Sequence, residues 1–346
     1  MKKINWGIIG LGAVANKFAD GFKYVNNAVI KGIASKDINK LNSFKSKFNI
    51  EEKFCYNNYI DLISDHEIDI IYIALPNTLH VPYIIKCIEG NKNILVEKPA
   101  ISNLEDLYKV KSLILDRKIF FTEGFMYRYL PYVKKIKQLI ENNTLGLMLN
   151  MESFFYVRVY KVKNFFGLKF KKPDFTHRLF NKQLGGGSIL DLGCYPLSFS
   201  TFLNSINNPN NIENIELRNI ETILCESGVD IFSSVEINFN NRFKSKIYCS
   251  FKDKMCQRTR IYFEKGFISI NESWTPLKEM EILIEIDNVK KLIKFDNYEN
   301  IYSHQIENIS NQLLKVNTSP IFPSISLDEI ELNTKILSKW LNNNYI

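Results

Sequence analysis

Two sets of residues in this chain have types and spacings that could do chemistry. The first is Gly10, Gly12 and Ala15, in the run Trp6-Gly7-Ile8-Ile9-Gly10-Leu11-Gly12-Ala13-Val14-Ala15. A buried strand there breaks into glycines and then becomes a helix. Gly10 supplies the tight turn, Gly12 lets bare backbone approach a pyrophosphate, and Ala15 takes the close-packing position. Ala13 and Val14 form the first helical turn, whose free N–H groups would face the phosphates. Such a turn can be purely structural. Here it is the first element and closes a βαβ unit within about thirty residues, so a dinucleotide site is expected.

The second set is Lys98 and Tyr195, with Asp191. Oxidising an alcohol needs a base for the hydroxyl proton while a nicotinamide takes hydride; the reverse needs an acid. A phenol can serve either way, but its free pKa of ~10 is high for a base at neutral pH. A neighbouring ammonium lowers it. Lys98 stands just past the end of a parallel strand, at the cofactor edge of the sheet, and is the natural ammonium. Asp191 precedes Tyr195 by four residues, on the same helical face, and could orient the substrate or Lys98. Each also has a plainer reading: a solvated turn lysine, a core tyrosine bonded to backbone, and an acid at a helix N-terminus.

The elements that must position these residues follow from apolar spacing. Ile4–Ile9, Val29–Ala34, Ile68–Ala74, Asn93–Val96 and Ile119–Thr122 read as strands alternating with amphipathic helices such as Leu41–Phe48 and Leu104–Leu115. That is the pattern of a parallel sheet covered on both faces. Beyond it, Pro131–Glu141 reads as a helix. Leu147–Val159, Thr222–Ile223, Ser233–Phe239, Lys244–Phe251, Arg258–Phe263, Phe267–Ile270, Met280–Ile286 and Lys290–Phe295 then alternate densely. Ile301–Leu314 and Leu327–Leu341 return to helical spacing. The expected fold is α/β: an N-terminal Rossmann domain over residues 1–122, then an α+β domain over 123–346 with a large, mostly antiparallel sheet.

Composition agrees with two packed cores: 346 residues, 45% hydrophobic and 13% aromatic. The net charge of +8 is spread along the chain without a block of like charges, so no nucleic-acid partner is expected. The chain opens without an apolar leader, and no apolar run reaches membrane-spanning length. Six scattered cysteines without a CxxC pair point to a reduced, cytoplasmic protein. Four histidines without an HExxH spacing give no reason to expect a metal.

Further motifs follow in order: Ala74-Leu75-Pro76-Asn77-Thr78-Leu79-His80, Glu97-Lys98-Pro99, Glu123-Gly124-Phe125-Met126-Tyr127-Arg128, Gly185-Gly186-Gly187-Ser188-Ile189-Leu190-Asp191-Leu192-Gly193-Cys194-Tyr195-Pro196, and Pro323-Ser324-Ile325-Ser326-Leu327-Asp328-Glu329. Over essentially the whole chain this series closely resembles the glucose–fructose oxidoreductase / inositol dehydrogenase / rhizopine-catabolism (Gfo/Idh/MocA) family. The triple-glycine motif ends in Tyr195 rather than histidine. That form is most similar to the branch holding glucose–fructose oxidoreductase, xylose dehydrogenase and dimeric dihydrodiol dehydrogenase. The resemblance gives the same catalytic pair, Lys98 and Tyr195, and implies cofactor contacts from Leu75, Pro76, Asn77 and His80, with Glu97 and Glu123 beside the nicotinamide end. His80 could equally pack or cap a helix. Arg128 reads as a cleft cation or a salt bridge. Arg178, with His177 before it, is similar to a substrate-side arginine, in an alignment that needs one extra residue there.

The second strand ends in Ser35-Lys36, where NAD-specific sheets place an acid; Asp37 comes one step later. A hydroxyl followed by a cation suits a 2′-phosphate, which favours NADP with NAD possible, unless Lys36 serves only solubility. The resemblance implies hydride transfer on a secondary alcohol or ketone of a sugar or nucleotide-linked sugar, in a homodimer or homotetramer. A trans-dihydrodiol dehydrogenase and a non-catalytic cofactor-binding regulator are the alternatives. Phe154, Tyr156, Phe239, Tyr248, Phe251, Tyr262 and Phe263 are spread over the second sheet, and one face of it is expected to be covered by a second copy.

Overall fold

The computed structural model describes residues 2–160, 174–207, 215–239, 243–276, 280–296 and 299–343. Contacts divide the chain into two compact units, Met1–Leu130 with Tyr298–Glu331, and Pro131–Asn297 with Leu332–Ile346.

The first unit alternates strand and helix: β1 (Ile4–Ile9), α1 (Ala13–Asp20), β2 (Ala28–Ala34), α2 (Ile38–Phe48), β3 (Cys55–Tyr56), α3 (Tyr59–Ser64), β4 (Ile70–Ile73), α4 (His80–Glu89), β5 (Asn93–Val96), α5 (Leu104–Arg117) and β6 (Phe121–Glu123). The strands form one parallel sheet in the order β3-β2-β1-β4-β5-β6. Apolar runs such as Ile70–Ile73 are buried along their whole length, as a sheet covered on both faces requires. Chain order reverses between β1 and β4, which places a crevice at their C-terminal ends. β3 was not expected: two residues carry no readable period, and only pairing with Ile33 and Ala34 defines the strand. Side chains cap α2, α3 and α5 through Asp37, Asn58 and Asn103. α1 begins at Gly12 with no side-chain cap and no acid in its first turn.

The second unit contains α6 (Pro131–Glu141), β7 (Met148–Tyr156), α7 (Cys194–Asn207), β8 (Ile215–Leu224), β9 (Asp230–Phe239), β10 (Phe243–Ser250), β11 (Thr259–Phe263), β12 (Gly266–Ile270), β13 (Met280–Ile286) and β14 (Val289–Phe295). These strands make one sheet, β14-β13-β12-β11-β7-β10-β9-β8, antiparallel except where β7 meets β10. β8 is longer than the expected Thr222–Ile223. It is an edge strand with Glu216, Arg218 and Glu221 along it, and these charges hide the strand pattern. The aromatic residues divide between the two faces. Phe239, Phe251 and Phe263 are buried with Phe155, on the side covered by α7. Phe154, Tyr156, Tyr248 and Tyr262 are half-buried on the other side. There Phe154 stacks on Tyr248 at 4.8 Å, and Arg258 and Arg260 lie over Phe154 and Phe267. That face mixes rings with guanidinium groups.

Two last helices follow, α8 (Ser303–Leu314) and α9 (Leu327–Asn342). A single cut at 122/123 follows the strands; the packing runs along other lines, because 298–331 builds into the first unit. The indole N–H of Trp6, in the centre of β1, donates to Ser310 Oγ on α8 at 3.0 Å. Thr122 Oγ1 donates to Ile325 O and accepts from Ile325 N–H, each at 3.0 Å. β1 and β6 thus have partners that a reading of residues 1–122 by themselves cannot supply.

Candidate active site

The glycine turn after β1 has the geometry its residues imply. Gly10 has φ +87°, and a Cβ there would lie 2.6 Å from Ala74 O, so neither conformation nor space admits a side chain. Gly12 is exposed, and a Cβ on it would meet nothing within 4 Å. The bare start of α1, Ala13 and Val14, opens onto that space, while Ala15 is fully buried against the sheet. An uncapped N-terminus with its partial positive charge fits the pyrophosphate of a dinucleotide.

At the end of β2, Ser35 is buried and its Oγ accepts the Asp37 N–H at 3.1 Å, which leaves the hydroxyl proton to donate. The Asp37 carboxylate turns away to cap α2, accepting from the N–H groups of Asn39 and Lys40 at 3.0 and 3.2 Å. Lys36 is exposed, its ammonium 5.8 Å from the Tyr59 ring centre. The strand end offers a hydroxyl and a cation, with the nearby acid committed to its helix.

Lys98 lies between pinned peptides. Its own N–H donates to Glu97 Oε2 at 3.3 Å, and Glu97 Oε1 accepts the Tyr72 hydroxyl. The Lys98–Pro99 peptide is cis. Pro99 O meets His80 Nδ1 at 2.9 Å, and Ala100 N–H donates to Glu123 Oε1 at 2.7 Å. His80 Nε2 reaches Leu75 O at 2.9 Å, so one ring joins the loop after β4, with Leu75, Pro76 and Asn77, to the loop after β5. His80 was expected along the cofactor or packed at a helix, and Glu123 beside the nicotinamide end. Both are buried and engaged with backbone, and through those bonds they position the loops.

Arg128, read as a cleft cation or a salt bridge, forms a salt bridge, and a buried one. It is 2% exposed and paired through Nη2 with Glu329 Oε1 at 2.9 Å. Glu329 in turn accepts the N–H and hydroxyl of Ser326 at the start of α9. Arg128 is a buried strut.

In the second unit, Gly185-Gly186-Gly187 folds back on the turn at 178–181. Gly186 N–H donates to Asn181 O and Gly187 N–H to Leu179 O, each at 3.0 Å. A π-helical turn, Ile189–Gly193, then runs into α7. Asp191 lies in that turn and Tyr195 just beyond it, so their spacing is not the α-helical one expected. Arg178 Nη1 reaches Asp191 Oδ1 at 3.2 Å, which brings those two candidates together. His177 caps the Arg178–Phe180 turn. Tyr195 is packed edge-on to Phe155 at 5.2 Å and beside Trp274 at 6.1 Å. The sequence reading missed Asp230, whose buried carboxylate meets the start of the π-helical turn. Its only signal is an acid opening a strand that is buried along most of its length.

Burial raises the Glu123 pKa from 4.5 to about 7, against the Ala100 N–H and the Lys98 charge, which lower it. The folded chain therefore holds a proton that the unfolded chain releases between those values. The stability from this group is full below about pH 4.5 and is lost as pH rises through 7, on the order of 1–3 kcal/mol. Glu123→Gln keeps an acceptor for Ala100 and removes the ionisation. Its melting temperature should fall less than that of the unchanged protein between about pH 5 and pH 8. Parallel melting curves for the two would contradict this.

Residues 4–125 match the model of an oxidoreductase family with an NAD-binding Rossmann fold, and residues 133–269 match the Gfo/Idh/MocA C-terminal domain. A trans-1,2-dihydrobenzene-1,2-diol dehydrogenase of Xenopus tropicalis is 26% identical over 345 residues, covering 97% of this chain and 96% of the relative. Among solved structures, an aldose–aldose oxidoreductase of Caulobacter crescentus superimposes with TM-score 0.84 at 17% identity, covering 99% of this chain and 97% of that one. KijD10, a 3-ketoreductase of Actinomadura kijaniata in complex with NADP and TDP-benzene, gives 0.81 at 15%, covering 97% and 96%. With both of its domain models matched in order along one chain, this protein belongs to the Gfo/Idh/MocA family of oxidoreductases.

Proposed function

We propose that this oxidoreductase uses NADP to transfer a hydride to or from a secondary alcohol or ketone of a sugar or nucleotide-linked sugar. The observation that carries the reading is Lys98. Its backbone is held on both sides at the C-terminal edge of a sheet whose glycine turn opens onto the bare start of α1. When bound, the nicotinamide supplies or accepts the hydride. Tyr195 gives or takes the proton of the reacting oxygen, and the Lys98 ammonium favours its phenolate. Asp191 and Arg178, joined to each other, orient the substrate. Ser35 and Lys36 receive the 2′-phosphate, and the diversion of Asp37 to its helix removes the repulsion a free acid would bring.

The sugar class is supported by the aldose–aldose oxidoreductase and the TDP-liganded ketoreductase that share the fold. The second reading, a trans-dihydrodiol dehydrogenase, is favoured by a relative of that activity aligned along nearly the whole chain. A panel of aldoses, ketosugars and trans-dihydrodiols divides the two. A regulator without turnover fits less well, since Lys98 and Tyr195 are both present. We place the protein in the cytoplasm on its six cysteines, all of them thiols. No helix among the described residues is long and apolar enough to cross a membrane.

Lys98→Met and Tyr195→Phe should each lower kcat about 10²–10⁴-fold while leaving NADPH binding nearly unchanged. Full turnover by Tyr195→Phe in a chemistry-limited assay would remove Tyr195 from the mechanism. Ser35→Asp should shift preference from NADPH toward NADH by replacing a phosphate partner with a repelling charge. Tighter binding of NADH than NADPH by the unchanged protein would refute the NADP assignment.

We also assign the face with Phe154, Tyr156, Tyr248 and Tyr262 to contact with a second copy. Its rings are half-buried, and a two-fold contact pairs such a face with itself. Light scattering should give a multiple of the 40.4 kDa chain mass; a clean monomer contradicts the assignment.

A further inference from the structure

We propose that Asp230 is a positioning residue for Tyr195, tying the π-helical turn ahead of α7 to the second sheet; this rests on the role assigned to Tyr195 above. Asp230 is the first residue of β9, and its Oδ2 accepts the Ser188 hydroxyl at 2.6 Å and the Ile189 N–H at 2.7 Å. Ile189 opens the π-helical turn, whose first N–H groups have no partner within the turn itself. A cap usually comes from the residue just before its helix. This one comes from a strand 41 residues further on, so it fixes the turn against the sheet as well as closing its end.

The turn continues into α7 without a break, since Cys194 at the junction has helical dihedrals. Tyr195 is the next residue, so a shift at Ile189 is carried along a hydrogen-bonded backbone to the phenol. The sheet supplies the other side of the ring: Phe155, on β7, packs edge-on to it. Asp230 thus links the helix that carries Tyr195 to the sheet that packs against it.

The third glycine of the motif belongs to the same device. Gly187 has φ +117°, and a Cβ there would lie 2.2 Å from Asp230 Oδ1. The space a side chain would fill is held by the carboxylate. Oδ1 itself is buried without a hydrogen-bond partner, which is unfavourable for a carboxylate. Burial accordingly raises the pKa of Asp230. A neutral cap would avoid that cost, but a serine on β9 would be too short to replace both contacts.

The test pairs isotope-labelled tyrosine NMR with turnover. The Tyr195 resonance is the one missing from Tyr195→Phe. Asp230→Asn can place an oxygen where Oδ2 stands and should leave that resonance in position, whereas Asp230→Ala should move or broaden it. In turnover, Asp230→Ala should lower kcat about tenfold or more with NADPH affinity held within about twofold. That penalty should vanish in the Tyr195→Phe background, because the residue acts through the phenol. An unmoved resonance in Asp230→Ala, or an equal penalty on both backgrounds, overturns the proposal. If the unchanged protein turns over no carbonyl or alcohol substrate, only the functional reading falls, since the resonance comparison still decides the placement. Should Asp230→Ala fail to fold, Ser188→Ala removes one of the two contacts and is read in the same way, with a smaller displacement expected.

Discussion

The first unit depends on the close approach of two backbones where strand order reverses. β1 and β4 run side by side, and the turn leaving β1 passes so near Ala74 that Gly10 has no room for a single carbon. Because Gly10 and Gly12 bring no side chain to that turn, α1 can begin at once, uncapped and facing open space. A residue with a Cβ at Gly10 would push the turn away from β4 and close the crevice from which the parallel sheet takes its binding geometry. The loops after β4 and β5 then become the walls of the same crevice.

Those walls are held by buried polar groups. His80 spans two loops, Glu123 grips the peptide after Pro99, and Arg128 braces the start of α9 through Glu329. Buried polar and charged groups cost free energy unless their partners are well placed, so each is a poor source of net stability. What they supply is position. An apolar contact tolerates sliding, whereas a carboxylate on one N–H specifies where that N–H must be.

Much of this was legible in the residues. Strand–glycine–helix at Trp6–Ala15 is local chemistry, and the apolar runs of β1, β2, β4 and β5 follow from burial on both sides. Lys98 could be placed at the sheet edge because it follows such a run directly. Other features depend on partners far along the chain. The hiding of His80 and Arg128 is decided by Pro99 and Glu329, and no spacing within their own segments announces that. β3 is too short to show a period, and the charges of β8 mask its strand. Asp191 and Tyr195 illustrate a finer limit: four residues suggest one face of an α-helix, but the wider i→i+5 turn of a π-helix changes their relation.

The position of α8 bears on how the molecule is made. Trp6 is synthesised 304 residues before Ser310, the partner of its indole. Thr122 likewise waits for Ile325. The dinucleotide-binding sheet can pair its strands early, but its last polar contacts close only after residues 131–297 of the second unit have been synthesised. During that interval the growing chain carries an incomplete first unit, with the face that α8 will cover open to solvent. Early folding is therefore provisional, and the most local part of the architecture is among the last to be sealed.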